Sequence, residues 1–89
     1  MIEKKVTVAN NLGLHARPSA RVVQTASQFK SEITFTKGNM TINAKSMLGV
    51  MALAAEYGCE LIMRIEGEDE KEAAREMVRL FKKKFKDVY

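Results

Sequence analysis

Two segments of the chain carry side chains that could do chemistry, and the first surrounds its only histidine. This segment reads Gly13-Leu14-His15-Ala16-Arg17-Pro18-Ser19. Proline is tolerated in the first turn of a helix, so the segment predicts a helix that begins near residue 16. His15 then lies at the helix end where backbone N–H groups and the helix dipole favour an anion. Arg17 adds a phosphate or carboxylate donor that never loses its charge. This arrangement is typical of a histidine that carries a phosphoryl group.

A structural alternative for His15 is that the imidazole simply caps the helix. Histidine is not a favoured N-cap residue, although position alone does not separate the two interpretations. Arg17 favours the functional one, because a phosphorylated imidazole gains a counter-charge whereas a structural cap gains little from a nearby cation. No general base or metal ligand accompanies His15 in its segment, so any catalysis has to come from a partner protein. The pattern therefore indicates a carrier and not an enzyme.

The second segment contains Ser46, which is predicted to be the N-cap of a short helix over residues 47–54. The helix carries two apolar stripes: one consists of Val50, Leu53 and Ala54, and the other of Met47, Leu48 and Met51. A short helix on a two-layer domain can bury only one of them. We expect the second stripe to be exposed as a docking surface, where methionine adapts to several partners. The alternative is a helix that lies deeper, with both stripes in the core.

Charge and composition limit the remaining function classes. The chain has 89 residues and a net charge of +4, and a lysine cluster stands near its end, at Lys82, Lys83, Lys84 and Lys86. Lysines in the last turns of a helix complement its dipole, and the rival interpretation is an interaction or nucleic-acid-binding domain with this cluster as its footprint. Because the chain has no Trp and few other aromatic residues, a single-stranded nucleic-acid platform is disfavoured. A single Cys and a single His argue against a disulfide or a metal site, and we expect neither metal nor cofactor.

The hydrophobic pattern supplies the elements that must position these side chains. Strands are predicted over residues 4–9, 32–36, 40–43 and 60–66, and helices over residues 16–29, 47–54 and from Asp69 onwards. Asp69 and Glu72 predict a capping box at the start of the last helix, and its buried stripe is predicted to include Phe85. The fold class is α+β: a single domain over residues 1–89, with a four-stranded antiparallel sheet and three helices on one face, in the order βαββαβα. The longest apolar run, 47–55, is too short to span a bilayer, and we expect no signal peptide because the first residues lack an apolar region before the first strand.

Residues 13–18 resemble the active-site signature of the HPr family, the histidine-containing phosphocarriers of the bacterial sugar phosphotransferase system. Residues 45–51 resemble the family's regulatory-serine segment, and the resemblance covers essentially the whole chain. It implies an open-faced β-sandwich in which His15 accepts a phosphoryl group on Nδ1 from enzyme I, which phosphoenolpyruvate charges. The carrier then passes the group to IIA units of sugar permeases. Arg17 would stabilise the phosphoryl group in transit.

The resemblance also implies how the carrier is regulated and where it works. Ser46 would be the target of an HPr kinase/phosphorylase in carbon catabolite control. The stripe of Met47, Leu48 and Met51, together with Arg17, would bind enzyme I, IIA and a catabolite-control regulator. The protein is expected to be a cytoplasmic monomer that neither enters membranes nor binds nucleic acid directly. His15 argues against a sister family of regulatory paralogues without this histidine, whereas a nitrogen-branch carrier stays open. Leu12 departs from the small polar residue that relatives usually carry there.

Overall fold

The computed structural model describes residues 1–85, which form one four-stranded sheet and three helices. The elements are β1 (Ile2–Thr7), α1 (Ala16–Ala26), β2 (Glu32–Lys37), β3 (Met40–Asn43), α2 (Met47–Ala52), β4 (Glu60–Glu66) and α3 (Glu70–Lys82). The predicted order βαββαβα is confirmed.

The sheet has the strand order β1-β4-β2-β3, and all three pairings are antiparallel. Apolar residues alternate along each of the two central strands, and Phe35 stands opposite Met63 in their register. The opposite face is polar: Arg64 Nε lies 2.8 Å from Glu3 Oε1, and the hydroxyl oxygens of Thr36 and Thr41 are 2.8 Å apart. This division into one apolar and one polar face confirms the open-faced sandwich.

One core joins the sheet to the helices. Ile33 and Phe35 in β2 and Leu61, Met63 and Ile65 in β4 are buried, as the alternating pattern predicts. The helices contribute a second set of buried side chains: Val22, Ala26, Val50, Ala73, Ala74, Met77, Leu80 and Phe81. Aromatic rings connect the two layers, because Phe35 and Phe81 meet edge to face with centroids 5.6 Å apart.

Three elements have bounds that differ from the prediction by two or three residues. β1 covers residues 2–7 and not 4–9, because its ladder with β4 extends from Ile2 to Thr7. α1 ends at Ala26 and not at residue 29, since the Phe29 N–H donates a hydrogen bond to the carbonyl of Ala26, three residues back, and not to that of Thr25. α2 ends at Ala52 because Ala54 has a φ of +48° and turns the chain. Ala54 is accordingly exposed, and it does not share the buried stripe.

The start and the end of α3 also correct the sequence analysis. Asp69 is the N-cap but makes no side-chain cap hydrogen bond, so the predicted capping box with Glu72 is wrong. The Asp69 carboxylate instead accepts hydrogen bonds from the backbone N–H groups of Lys30 and Ser31, both at 2.9 Å. At the other end Lys82 closes the helix, so Lys83 and Lys84 lie just beyond its last turn, and Lys86 lies outside the described residues. Phe85 is buried as predicted, although it follows the helix.

Candidate functional site

His15 is the N-cap residue of α1, with extended backbone angles (φ −76°, ψ −170°). Its carbonyl oxygen accepts the first helical hydrogen bond, from Ser19 N–H at 3.0 Å, whereas its imidazole makes no cap hydrogen bond. The N–H groups of the first turn have no acceptor within the helix, and Pro18 in this turn has no N–H to satisfy. The first turn contains no acidic residue. The helix end therefore offers donors and positive potential to an anion beside His15.

Leu14, which precedes His15, and Ser19, in the first turns of α1, make buried hydrogen bonds around this helix start. Leu14 N–H donates to the carbonyl of Ala55 at 2.8 Å, and its side chain is buried. The hydroxyl of Ser19, also buried, donates to the carbonyl of Leu14 at 2.9 Å. Leu14, the residue before His15, is thus held through both its N–H and its carbonyl oxygen. Sequence analysis did not single out Ser19 or Ala55; the signal for Ser19 was a polar residue on the buried face of α1.

Asn10 and Gly13 close the loop that precedes His15. Asn10 Nδ2 donates to the Gly13 carbonyl at 2.6 Å, and Gly13 N–H donates to the Asn10 carbonyl at 3.1 Å. Gly13 has a φ of +68°, and a Cβ placed on it would lie 2.5 Å from the Ala55 carbonyl oxygen. Only glycine fits this position, both for its backbone angle and for the close approach of residue 55.

Leu12 is 73% exposed, so the loop does not depend on the side chain that departs from the family pattern. The buried side chain of Asn10 makes the loop hydrogen bond instead. The sequence analysis did not predict this role of Asn10 in holding the loop before His15. A signal was available, because an asparagine three residues before a glycine is typical of a side chain that bonds to the backbone of its own turn.

Arg17 lies in the first turn of α1, two residues after His15, and its side chain is exposed. Among residues 1–85 no carboxylate pairs with its guanidinium group. A fork of donors that no internal acid neutralises can meet a phosphate or an acidic partner surface. The structure therefore brings His15 and Arg17 together at one helix start.

Ser46 is the N-cap of α2, and here the side chain does cap the helix. Its Oγ accepts a hydrogen bond from Gly49 N–H at 3.0 Å, which confirms the predicted cap. The predicted exposed stripe is confirmed as well: the exposed fractions are 38% for Met47, 86% for Leu48 and 42% for Met51. Val50, on the other side, is fully buried.

The end of α2 lies close to the start of α1, whereas Lys45 at the start of α2 donates to the Phe29 carbonyl beyond the end of α1. α2 packs against α1, and the segment that leaves α2 contains Ala55, which binds the backbone of Leu14. The exposed stripe of Met47, Leu48 and Met51 is called the α2 patch below. The lowered pKa values of the chain lie elsewhere: hydrogen bonds from Ser31 and Lys30 lower the pKa of Asp69, and the Gly67 N–H lowers that of Glu70.

Comparison with known proteins identifies the family. Residues 2–83 match the model of the PTS HPr component phosphorylation site. The chain is 46% identical over 87 residues to the phosphocarrier protein HPr of Xylella fastidiosa strain Temecula1, with 98% of each chain covered. It is 47% identical over 87 residues to that of Treponema pallidum, with 98% of this chain and 99% of the relative covered. These relatives are named as carriers and not as enzymes.

Solved structures agree with this assignment. HPr from Thermoanaerobacter tengcongensis superimposes with a TM-score of 0.93 at 45% identity, with 96% of each chain covered. A dimer of Crh, the Bacillus subtilis catabolite repression protein, superimposes with a TM-score of 0.75 at 38% identity, covering 93% of this chain and 95% of that chain. No helix within residues 1–85 is long and apolar enough to cross a membrane. These matches in sequence and structure show that the chain belongs to the HPr family, the phosphocarrier proteins of the phosphotransferase system.

Proposed function

We propose that His15 is the residue that carries the phosphoryl group. The Nδ1 lone pair of the neutral imidazole attacks phosphorus on phospho-enzyme I, and the bond between phosphorus and its donor breaks with the electron pair staying on the donor. The reverse sequence then passes the group to IIA components of sugar permeases. The observation that carries this proposal is the position of His15 at a helix start without acidic residues, two residues before Arg17.

Arg17 and the first turn of α1 have a second role in this proposal. The phosphoryl group brings negative charge to a place that already contains backbone donors, the positive helix end and an exposed guanidinium. These groups are in place before transfer, so they need little reorganisation as the charge arrives. The buried hydrogen bonds of Leu14 and Ser19 fix the backbone from which the imidazole extends.

Ser46 is proposed as the regulatory phosphorylation site, modified by an HPr kinase/phosphorylase in carbon catabolite control. Support comes from its half-buried hydroxyl at the start of α2, directly before the exposed Met47. A phosphate there would meet helix N–H groups, and it would place about −1.5 to −2 charges beside the α2 patch. The modification would therefore act on docking more than on folding.

The α2 patch and Arg17 are proposed to form the surface that binds enzyme I, IIA and the catabolite-control regulator. An exposed apolar stripe and an exposed cation suit partners with an apolar centre and an acidic rim. We further propose a cytoplasmic monomer with one HPr domain over residues 1–89 that binds neither nucleic acid nor membranes. Sedimentation at micromolar concentration tests the oligomeric state, and a dimer would contradict that part.

The experiment that tests the proposal is phosphoryl labelling in a purified system. The protein is incubated with enzyme I and labelled phosphoenolpyruvate, and the product is treated with acid and with base. We expect a base-stable, acid-labile adduct, which mass spectrometry places on His15. A parallel reaction with ATP and an HPr kinase is expected to label Ser46 with an acid-stable phosphate. An unlabelled His15 in the presence of active enzyme I would overturn the carrier assignment of this residue.

A further inference from the structure

Three lysines of the cluster, Lys82, Lys83 and Lys84, line a groove of about 830 Å³ between α1 and the end of α3, and the proposed carrier function does not use this groove. Five cationic side chains border it: Arg21, Arg79, Lys82, Lys83 and Lys84. Among the described lining residues the one carboxylate is Glu76, whose Oε2 already lies 3.9 Å from Arg75 Nε. We propose that this groove, the α3-end groove, binds a small polyanion with several phosphate groups.

The backbone at the end of α3 gives an independent argument for a role of Lys84. Phe85 N–H donates to the Leu80 carbonyl at 3.4 Å, and Lys84 N–H donates to the Phe81 carbonyl at 3.1 Å. These two bonds define a Schellman motif, in which Lys84 holds the left-handed position with a φ of +55°, and Phe85 follows it with a φ of +56°. Glycine is the favoured residue there, because a side chain at positive φ is strained. A lysine at this position breaks a local rule, and such exceptions concentrate at functional sites.

Phe85 explains how the strained lysine is held in place. Its ring is fully buried and meets Phe81 edge to face, with centroids 5.1 Å apart. Burial of this ring draws the chain back over the helix end and keeps Lys84 at the rim of the α3-end groove. The favourable burial offsets the strain, so the lysine position belongs to the folded structure and not to a frayed end.

The ligand class follows from charge and shape. Five cations around one groove match several phosphate groups, whereas a single phosphate is satisfied by two or three donors. The volume lies in the range of small-molecule sites. Nucleic acid is disfavoured, because Phe81 and Phe85 are buried and offer no ring for bases to stack on. A concave site also suits a compact ligand better than the flat surface of a membrane.

Within residues 1–85, Arg79, Lys82, Lys83 and Lys84 make no ion pair with a carboxylate. Like charges three or four residues apart on one helix repel each other, and Arg79 stands in this relation to Lys82 and Lys83. A bound polyanion would remove that repulsion. The α3-end groove therefore gains more from such a ligand than an isolated surface lysine does.

The test measures binding of inorganic tripolyphosphate to the whole chain by calorimetry at low salt. Arg79→Gln is expected to weaken binding about fivefold, as for the loss of one exposed ion pair. The matched control is Lys30→Gln, which removes one charge from a lysine that pairs with Glu68 at 3.1 Å, outside the groove. The control is expected to leave the affinity nearly unchanged. Equal losses in both variants would show a general charge effect and overturn the site.

Lys84→Gly separates binding from folding. Glycine relieves the left-handed strain, so we expect the melting temperature to rise by about 4 °C while tripolyphosphate binding weakens about fivefold. A higher melting temperature with unchanged affinity would assign Lys84 no role in binding, and a lower one would contradict the strain. The measurement uses no enzyme I, so its outcome is independent of whether His15 is phosphorylated.

Two further probes decide the ligand class. Orthophosphate is expected to bind at least about tenfold more weakly than tripolyphosphate, because it engages fewer of the five cations. Vesicles with one third anionic lipid are expected not to compete with tripolyphosphate. Equal affinity for orthophosphate would overturn the polyanion class, and competition by vesicles would replace the small ligand with a lipid headgroup surface.

Discussion

The helix starts at His15 and Ser46 differ in what their N-cap side chains do. The Ser46 hydroxyl caps α2 through Gly49 N–H, whereas the imidazole of His15 makes no cap hydrogen bond to α1. The two helices also differ in length and in how many of their residues are buried. α1 has eleven residues, five of them buried, and α2 has six residues, of which Val50 alone is buried.

This difference shows how a small domain separates stability from chemistry. α1 is fixed by its own buried face and by the Ser19 and Leu14 contacts, so its N-cap side chain is not needed to hold the helix. α2 has little burial to stabilise it, so its cap contributes to keeping the short helix folded. A reactive side chain at the first site costs the fold little, whereas a change at the second alters the local surface.

Substitution of the two N-cap residues tests the difference between the helix starts most directly. His15→Ala is expected to abolish phosphoryl acceptance from enzyme I and to change the free energy of unfolding by at most about 1 kcal/mol. Ser46→Ala is expected to show the opposite pattern: acceptance stays close to that of the parent protein, and stability falls by about 1 kcal/mol. Labelling with phosphoenolpyruvate and urea unfolding measure the two quantities. Labelling retained in His15→Ala would contradict the proposal.

Arg17 tests whether charge or geometry matters at the first helix start. Arg17→Ala is expected to slow transfer to His15 roughly a hundredfold, corresponding to about 3 kcal/mol of lost electrostatic stabilisation. Arg17→Lys keeps the charge but not the fork of donors, so only part of the rate is expected to return. Arg75→Ala removes another exposed arginine, from α3, and is the control, expected to leave the rate unchanged. Full activity of Arg17→Lys would show that charge alone suffices.

The sequence predicted the order of strands and helices along the chain, and the starts of α1 and α2, because the periodic patterns around them are strong. It also predicted the exposure of Met47, Leu48 and Met51, since a six-residue helix has too little contact area to bury two stripes. The ends of α1 and α2 were harder to predict, because no proline or glycine marks them: the Phe29 N–H donates to the Ala26 carbonyl, and Ala54 adopts a φ of +48°.

Long-range hydrogen bonds account for what the sequence could not predict. The sequence predicts Asp69 to be a local cap, but its carboxylate accepts hydrogen bonds from the N–H groups of Lys30 and Ser31, which are 39 and 38 residues away. The contact between Leu14 and Ala55 likewise joins segments that no local pattern connects. The roles of individual residues at the site are a different matter: His15, Arg17 and Ser46 stand where the sequence predicted, and their chemistry stays a prediction.

Ser46→Asp tests the regulatory role of this residue by adding a negative charge at the start of α2. Aspartate also caps and suits the positive helix end, so the melting temperature is expected to stay or rise. Phosphoryl acceptance at His15 is expected to fall tenfold or more, because like charges about 6 Å apart at an acidic partner surface cost roughly 0.7–3 kcal/mol per pair. Added salt is expected to restore part of the rate.

The matched control is Ser46→Asn, which keeps an N-cap acceptor without the charge and is expected to transfer normally. A Ser46→Asp protein that is destabilised, or whose defect ignores ionic strength, would replace this electrostatic account with a conformational one.

The α2 patch tests whether exposed and buried side chains of one helix have separate roles. Met51→Glu, or Met47→Glu, is expected to weaken binding to enzyme I while the free energy of unfolding changes by only about 0.5 kcal/mol. Val50→Ala, on the buried side, is expected to cost about 2 kcal/mol of stability and to leave binding intact. Titration calorimetry and urea unfolding measure both. A large stability loss in Met51→Glu would mean that the stripe belongs to the core.

The start of α3 differs from the other two in its dependence on pH, and the change in stability expected there is the smallest of those predicted. Asp69 is an N-cap whose carboxylate accepts hydrogen bonds from the Ser31 hydroxyl and from the N–H groups of Lys30 and Ser31. The Ser31 hydroxyl, followed by the Lys30 N–H, lowers the pKa of Asp69 below its ordinary value. A carboxylate with a lowered pKa in the folded state contributes stability above its unfolded pKa of about 4, and that contribution is lost as the pH falls through the lowered value.

Asp69→Asn is therefore expected to melt below the parent protein at pH 7, with the difference closing as the pH falls below about 4. Melting curves of both proteins from pH 7 to pH 2 measure this difference. Ser31→Ala removes the largest cause of the lowered pKa, so the effect of Asp69→Asn is expected to shrink when it is measured in a protein that already carries Ser31→Ala. A gap between the parent protein and Asp69→Asn that stays constant from pH 7 to strong acid would show that the carboxylate charge contributes nothing to this helix start.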